Sequence, residues 1–291
     1  MSLESSCDNV SVSNTNTIGE SYEYRRDKKR KSVRTYKEEA IAEDIMDQVR
    51  SYLNQDKGLF DVPVDFILLD AEKNHVSSPV ILGAHTYVAG KYKKQNNAEL
   101  SFGYAFEKFI LYATSLGLGT VWLAATIDRK SFEQAIDLKA DEVMPVVTPL
   151  GYAAEKRSVR EKLMRKGMKS DSRLPFESLF YKDTFDTPLR DEDENIWHFP
   201  LEMVRWAPSA TNKQPWRVVV EKDQVHFYEK KTKGYEKDSY GDIQKVDVGI
   251  ALCHFEIAAK EKGLKGSFVQ SDPGIKTAED TEYMATYVLE V

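Results

Sequence analysis

The most distinctive segment of this 291-residue chain is Ala207-Pro-Ser-Ala-Thr-Asn-Lys-Gln-Pro-Trp216. It lies between a predicted helix, residues 200–206, and a predicted β-hairpin. Its two prolines stiffen the loop, because each proline fixes its own φ angle. Ser209, Asn212 and Gln214 offer alternating hydrogen-bond donors and acceptors, which could contact the edge of a flat heterocycle. An ordinary polar turn between a helix and a strand explains the pattern equally well.

Length and composition exclude several classes of protein. With 41% hydrophobic residues the chain can form a core, so a wholly disordered protein is excluded. No apolar run approaches the roughly 18–20 residues of a membrane span, and residues 1–20 lack the apolar stretch of a signal peptide. The formal net charge of −6 argues against a general nucleic-acid binder. We therefore expect a cytoplasmic protein that acts on a small molecule, with no membrane or nucleic-acid partner.

The sequence contains an internal repeat. Two long predicted helices, residues 102–116 and 248–262, align without a gap at an offset of 146 positions. The coinciding pairs are Gly103/Gly249, Ala105/Ala251, Phe109/Phe255, Ala113/Ala259, Gly117/Gly263 and Leu118/Leu264. Chance matching of helical glycine and alanine is the alternative, but the alignment favours two copies of one α/β half-unit.

The other predicted elements fit this division of the chain. The predicted strands cover residues 64–69, 79–84, 143–148, 216–220, 225–228 and 283–289, and a further helix begins near residue 38. We expect a disordered tail at residues 1–24, a first half at 25–165, a connection at 166–195 and a second half at 196–291. The two halves should interlock as one structural unit.

Basic residues form a second motif, Arg30-Lys-Ser-Val-Arg34. In an extended chain Arg30, Ser32 and Arg34 point to the same side, so two guanidinium groups would flank a hydroxyl. This arrangement suits a phosphate group. A solvated run of charge is the usual alternative for such a pattern. A third segment, residues 149–160, adds Lys156, Arg157 and Arg160 but is weak by itself.

Together these segments resemble the FMN-dependent nitroreductase family. The matching motifs are Arg30-Lys-Ser-Val-Arg34, the loop from Ala207 to Trp216, Gly117-Leu-Gly-Thr120 and Leu150-Gly-Tyr-Ala-Ala-Glu-Lys156. In that family the Pro-Ser loop comes before the Gly-Leu-Gly helix end, whereas here it occurs only in the second half. The chain therefore resembles the tandem, single-chain TM nitroreductase branch. The resemblance implies an α+β nitroreductase-like fold, in which two fused half-units form an internal pseudo-dimer.

The resemblance also implies a cofactor and a site. FMN would be held across the pseudo-dimer by residues of both halves, giving one complete site per chain. The implied cofactor-binding residues are Arg30, Ser32, Arg34, Leu123, Ala124, Ala125, Gly151, Lys156, Arg157, Arg160, Pro208, Ser209, Ala210, Asn212 and Gln214. No protein residue is assigned as catalytic, and no metal is expected. The chain would be a monomer in the form of a pseudo-dimer, and further dimerisation is left open.

The implied activity is hydride transfer from NADH or NADPH, through flavin N5, to a small electron-poor acceptor such as a nitroaromatic or a quinone. Two alternatives remain. A flavin-holding protein without efficient turnover is suggested by Ala124-Ala125, where the family often has Gly-Gly or Glu-Gly. A nucleic-acid-binding or targeting tail is suggested by the basic run from Arg25 to Arg34.

Overall fold

The structure, a computed structural model, describes residues 30–55, 58–155, 172–193 and 195–290. Two long helices lie at the centre, and each carries an antiparallel-rich sheet against it. The α-helices of the described ranges are α1 (Glu43–Leu53), α2 (Ala98–Ser115), α3 (Arg129–Ala135), α4 (His198–Trp206) and α5 (Ile243–Glu261). The fold is the expected α+β class with two fused half-units.

The first half forms a four-stranded sheet. Its strands are β1 (Asp65–Asp70), β2 (Thr86–Lys93), β3 (Glu142–Val143) and β4 (Val147–Leu150). Strand β2 pairs antiparallel with β1, β3 and β4, and helix α2 packs against it. Leu123 also bridges to Val147, which attaches the segment after α2 to the edge of β4.

The second half repeats this arrangement in a five-stranded sheet. Its strands are β5 (Phe180–Lys182), β6 (Trp216–Val220), β7 (Gln224–Lys230), β10 (Gly266–Val269) and β11 (Thr281–Leu289), in the order β10-β11-β7-β6-β5. Two short strands, β8 (Glu236–Lys237) and β9 (Gly241–Asp242), form a separate pair. In both halves an antiparallel hairpin leads to a long helix, and a later strand returns to pair with the second strand of the hairpin, β4 with β2 and β11 with β7.

Helices α2 and α5 meet at two glycines that the repeat had aligned. A Cβ on Gly103 would lie 2.0 Å from the carbonyl oxygen of Val246, and a Cβ on Gly249 would lie 2.2 Å from that of Leu100. Leu100 and Val246 are themselves 146 positions apart, so the two contacts are related by the repeat. This reciprocal contact is the signature of a two-fold interface, here inside one chain.

Some predicted elements were wrong. Residues 79–84 do not form a strand: Leu82 makes only an isolated bridge to Thr35, and Gly83 has a φ of 76°. Strand β2 was missed because most of its residues are buried on both faces, so the sequence does not alternate. The predicted strand at 143–148 is divided into β3 and β4. Within the described ranges no helix is long and apolar enough to cross a membrane.

Candidate functional site

A cavity of about 550 Å³ lies between the two half-units. The first half contributes the segment from Arg30 to Arg34 and residues near Trp122 to its wall. The second half contributes the loop after α4 and one side of α5. The volume is within the ~300–1,000 Å³ of small-molecule sites. The cavity exists only because the two halves are packed together.

The basic segment is held at the cavity by the end of helix α2. Ser32 bridges to Thr120 in parallel orientation, and the Val33 N–H donates to the Thr120 carbonyl oxygen at 2.9 Å. The chains approach closely at Gly119, where a Cβ would lie 2.9 Å from Cγ2 of Val33. The motif that ends α2 therefore positions the Arg-Lys-Ser-Val-Arg motif. Arg34 is buried, with 8% of its surface exposed.

The Pro-Ser loop has a fixed and strained conformation. Thr211 and Asn212 have φ angles of 48° and 58°, which are left-handed, and β-branched residues such as threonine rarely adopt them. Three contacts hold this shape: the Gln214 N–H donates to Ser209 Oγ at 2.9 Å, Gln214 Oε1 accepts from the Leu174 N–H at 3.0 Å, and the Ala210 N–H donates to the Asp247 carboxyl. Local strain held by surrounding contacts is characteristic of binding loops.

The predicted site residues divide into three groups. Eight of them line the cavity together: Arg30, Ser32, Arg34, Ala124, Pro208, Ser209, Ala210 and Asn212. Leu123 exchanges backbone hydrogen bonds with Val147, Gly151 bridges to Gly119, Ala125 is exposed, and Gln214 holds the loop from behind. Lys156, Arg157 and Arg160 lie outside the described residues. The structure therefore places residues 30–34 and residues 208–212, which are about 175 positions apart in the sequence, around one cavity.

A buried carboxylate, Glu107 of α2, connects three residues of the cavity wall. Glu107 is fully buried; it accepts a hydrogen bond from Trp122 Nε1 at 2.9 Å and pairs with His254 Nε2 at 3.0 Å. Its Oε1 lies 3.7 Å from Nε of Arg30. Glu107 therefore balances the positive charge of Arg30 and links the basic segment to both central helices.

Helix α5 supplies wall residues that the sequence had not indicated. Ile243, Asp247, Ile250 and His254 follow one another at spacings of four, three and four, so they share one side of the helix. The sequence alone favours a packing or surface role for His254. Arg173 and Trp206 also reach the wall; the Arg173 guanidinium lies 5.0 Å from the centre of the Trp206 ring and donates to the Trp206 carbonyl oxygen at 3.0 Å.

The equivalent loop of the first half, residues 58–62, does not line this cavity. Phe60 and Asp61 have φ angles of 56° and 55°, which repeat the left-handed pair of the second half. Leu59, however, is buried in the apolar cluster that contains Tyr104 and Leu252. Leu59 of the first loop is thus packed into the core, whereas residues 208–210 of the second loop line the cavity, so the two interface positions of the pseudo-dimer are different.

The donors around the cavity fit one type of ligand. Two guanidinium groups and a hydroxyl at the basic segment suit a phosphate. Apolar side chains from Val121, Val146 and Val246 suit a flat ring. The amide of Asn212 holds the loop, because its Nδ2 donates to the Ser172 carbonyl oxygen at 3.0 Å. A phosphate-bearing aromatic heterocycle such as FMN has this distribution of groups.

Two fused α+β half-units with a cavity at their interface define an internally duplicated chain of nitroreductase-like fold. Residues 24–259 match the family described as "Putative TM nitroreductase". The chain belongs to this family.

One solved structure agrees with the fold over most of the chain. A structure described as a "putative nitroreductase" from Thermotoga maritima has 21% identity and a TM-score of 0.58, and the match covers 91% of this chain and 92% of that chain. An FMN-dependent nitroreductase from Clostridium difficile has 18% identity and a TM-score of 0.37, with 48% of this chain and 94% of that chain covered. No curated protein that was compared matches the chain.

Proposed function

We propose that the chain binds FMN in the interface cavity and uses it as an oxidoreductase of small electron-poor molecules. The observation that carries the proposal is the single cavity that joins Arg30, Ser32 and Arg34 of the first half to the loop at residues 208–212 of the second. Membership of the nitroreductase family supports the reaction class.

The basic segment would hold the phosphate of FMN. Arg30 and Ser32 would contact the phosphate, and Arg34 would contact either the phosphate or the pyrimidine edge of the ring. Arg30 retains its orientation through Glu107, 3.7 Å from its Nε. Charge-assisted hydrogen bonds of this kind contribute roughly 1.5–3 kcal/mol each.

The loop at residues 208–212 would border the ring from the other half. Its shape is held by hydrogen bonds within the protein that involve Ser209, Gln214 and Asp247. A preformed site loses less conformational entropy on binding. Bound FMN would supply the redox chemistry, which would be hydride transfer from NADH or NADPH to a nitroaromatic or quinone-like acceptor.

The absorbance spectrum of the purified protein after incubation with FMN and desalting tests the proposal. We expect a bound-flavin spectrum, and we expect the flavin absorbance to be lost when NADH or NADPH is added without oxygen. A protein that retains no flavin would contradict the proposal. A retained flavin that dithionite reduces but neither nicotinamide reduces would instead support a flavin-holding protein.

A further inference from the structure

An acidic side chain, Asp247, lies on the cavity wall and has no role in the proposed binding of FMN phosphate. Its residue is only 3% exposed, and both of its carboxyl oxygens lie 3.0 Å from the Ala210 backbone nitrogen. That N–H is its one hydrogen-bond partner among the described residues. A single N–H is far less than an ionised carboxylate needs when it is removed from water.

The repeat shows that the loop can be held without an acid. The residue 146 positions earlier is Ser101, which accepts the Leu59 N–H at 2.9 Å and donates to the Val62 carbonyl oxygen at 2.8 Å. Ser101 therefore performs for the first loop the structural task that Asp247 performs for the second. Ser101 holds a loop whose Leu59 is buried in the core, whereas Asp247 holds a loop that lines the cavity. The loop that lines the cavity is thus the loop that is held by an acid.

The surroundings of Asp247 favour its neutral form. Burial raises the pKa of its carboxyl well above the ordinary value, the Ala210 N–H opposes this shift, and the negative charges of Asp242 and Glu229 add to it. Asp242 caps α5 and Glu229 lies on β7. The charged or titratable side chains that share the cavity wall with Asp247 are Arg30, Lys31, Arg34, Arg173 and His254.

We propose that Asp247 is a catalytic acid of this site, which donates its proton to the acceptor molecule as that molecule is reduced. The inference rests on the proposed function. A quinone needs two electrons and two protons to become a hydroquinone. The hydride from the cofactor brings both electrons and one proton, and the carboxyl of Asp247 brings the other. The O–H bond of Asp247 breaks, its electron pair stays on the carboxylate, and a new O–H bond forms on the acceptor; water then reprotonates Asp247.

The test compares wild type with two variants that keep the loop contact. Asp247→Asn retains an acceptor for the Ala210 N–H, and Asp247→Ser copies the natural arrangement at Ser101. Each FMN-loaded protein is reduced with dithionite and mixed with benzoquinone or with ferricyanide, which takes up electrons without a proton. We expect the ratio of quinone rate to ferricyanide rate to fall about 100-fold in both variants, the typical contribution of a general acid. The Kd for FMN should change less than about threefold, which corresponds to less than ~0.7 kcal/mol of binding free energy.

A second measurement does not depend on the cofactor. The unfolding free energies of the apo wild type and apo Asp247→Asn are compared from pH 4 to pH 8. The pKa of Asp247 is raised in the folded protein, so the stability of wild type should fall as pH rises above the pKa of the same carboxyl in the unfolded chain. The amide of Asp247→Asn does not titrate, so the variant should gain stability relative to wild type over this range.

The outcomes separate the two proposals. Equal slowing of both acceptors, an unchanged rate ratio or a constant relative stability from pH 4 to pH 8 would overturn the role of Asp247 while leaving FMN binding intact. Loss of FMN from both variants would assign Asp247 to holding the loop and would also overturn it. A wild-type protein that takes up no FMN would overturn the proposed function itself, and this inference with it.

Discussion

Glu229 of β7 should make the protein less stable as the pH rises. The residue is 1% exposed, and neither carboxyl oxygen makes a hydrogen bond within the described part of the chain. Burial raises the pKa of Glu229 to about 7, assisted by the charges of Asp242 and Glu282 and opposed by Lys231 and Lys245. The pKa of Glu229 thus rises from the ordinary value of 4.5 to about 7 in the folded protein. At ~1.36 kcal/mol per pKa unit, the ionised Glu229 carboxylate is therefore about 3 kcal/mol less favourable in the folded protein than in the unfolded chain.

The sign follows from proton linkage. Between pH 4.5 and about pH 7 the unfolded chain has lost this proton while the folded chain keeps it. Stability therefore falls as pH rises through this window. In Glu229→Gln the dependence is removed, so the stability of the variant relative to wild type should increase by about 3 kcal/mol between pH 4.5 and pH 8. Any constant cost of burying the amide does not affect this difference.

Urea denaturation at several pH values measures the effect. Glu142→Gln is a control of opposite sign outside this charge cluster: burial raises the pKa of Glu142, but hydrogen bonds from Lys91 and the Lys139 N–H outweigh burial and leave it lowered. Glu142 stabilises the fold above its unfolded pKa, and this stabilisation is lost as pH falls through the folded pKa, so Glu142→Gln should weaken the protein most at neutral pH. A relative stability of Glu229→Gln that does not change with pH would refute the reasoning.

Three further predictions concern the site and the interface. Replacing Arg30 by alanine should weaken FMN binding by about 1.5–3 kcal/mol but riboflavin binding far less, because one charge-assisted bond to the phosphate is lost. Equal weakening of both ligands in fluorescence titrations would contradict a phosphate role. Gly119→Ala should displace the basic segment and destabilise the fold by about 1–3 kcal/mol. Gly117→Ala is the control: nothing lies within 4 Å of its new Cβ, so it should show only the smaller cost of its φ of 80°. Equal losses of stability in thermal unfolding would refute this prediction. Gly249→Ala should separate the central helices and cost more than Gly119→Ala, because its Cβ would meet backbone 2.2 Å away; a near-normal Tm would argue against the tight interface.

Residues with strong local rules were the most predictable from the sequence. The Pro-Ser loop could be placed because proline, serine and asparagine have defined turn chemistry. The repeat could be found because Gly103 and Gly249 have no substitute where two helix backbones meet, so the same residue recurs at the same position.

The cavity side of α5 could not be predicted. This helix is buried on nearly all sides, so apolar residues surround it and no polar side distinguishes the wall that holds Asp247 and His254. The contact between Glu107 and Arg30 could not be predicted for the same reason. A glutamate in a long apolar helix gives the same sequence pattern whether its side chain faces water or a buried arginine. Such contacts depend on segments far apart in the chain.

The number of FMN molecules bound per chain tests the central claim most directly. At one interface position Leu59 is buried in the core, and at the other Asp247 lies on the wall of a cavity. We therefore expect only the second position to bind FMN. Equilibrium dialysis of the purified chain against FMN should therefore saturate at one FMN per 291-residue chain. A stoichiometry of two would show that both interface positions bind, and a stoichiometry of zero would contradict the proposed function.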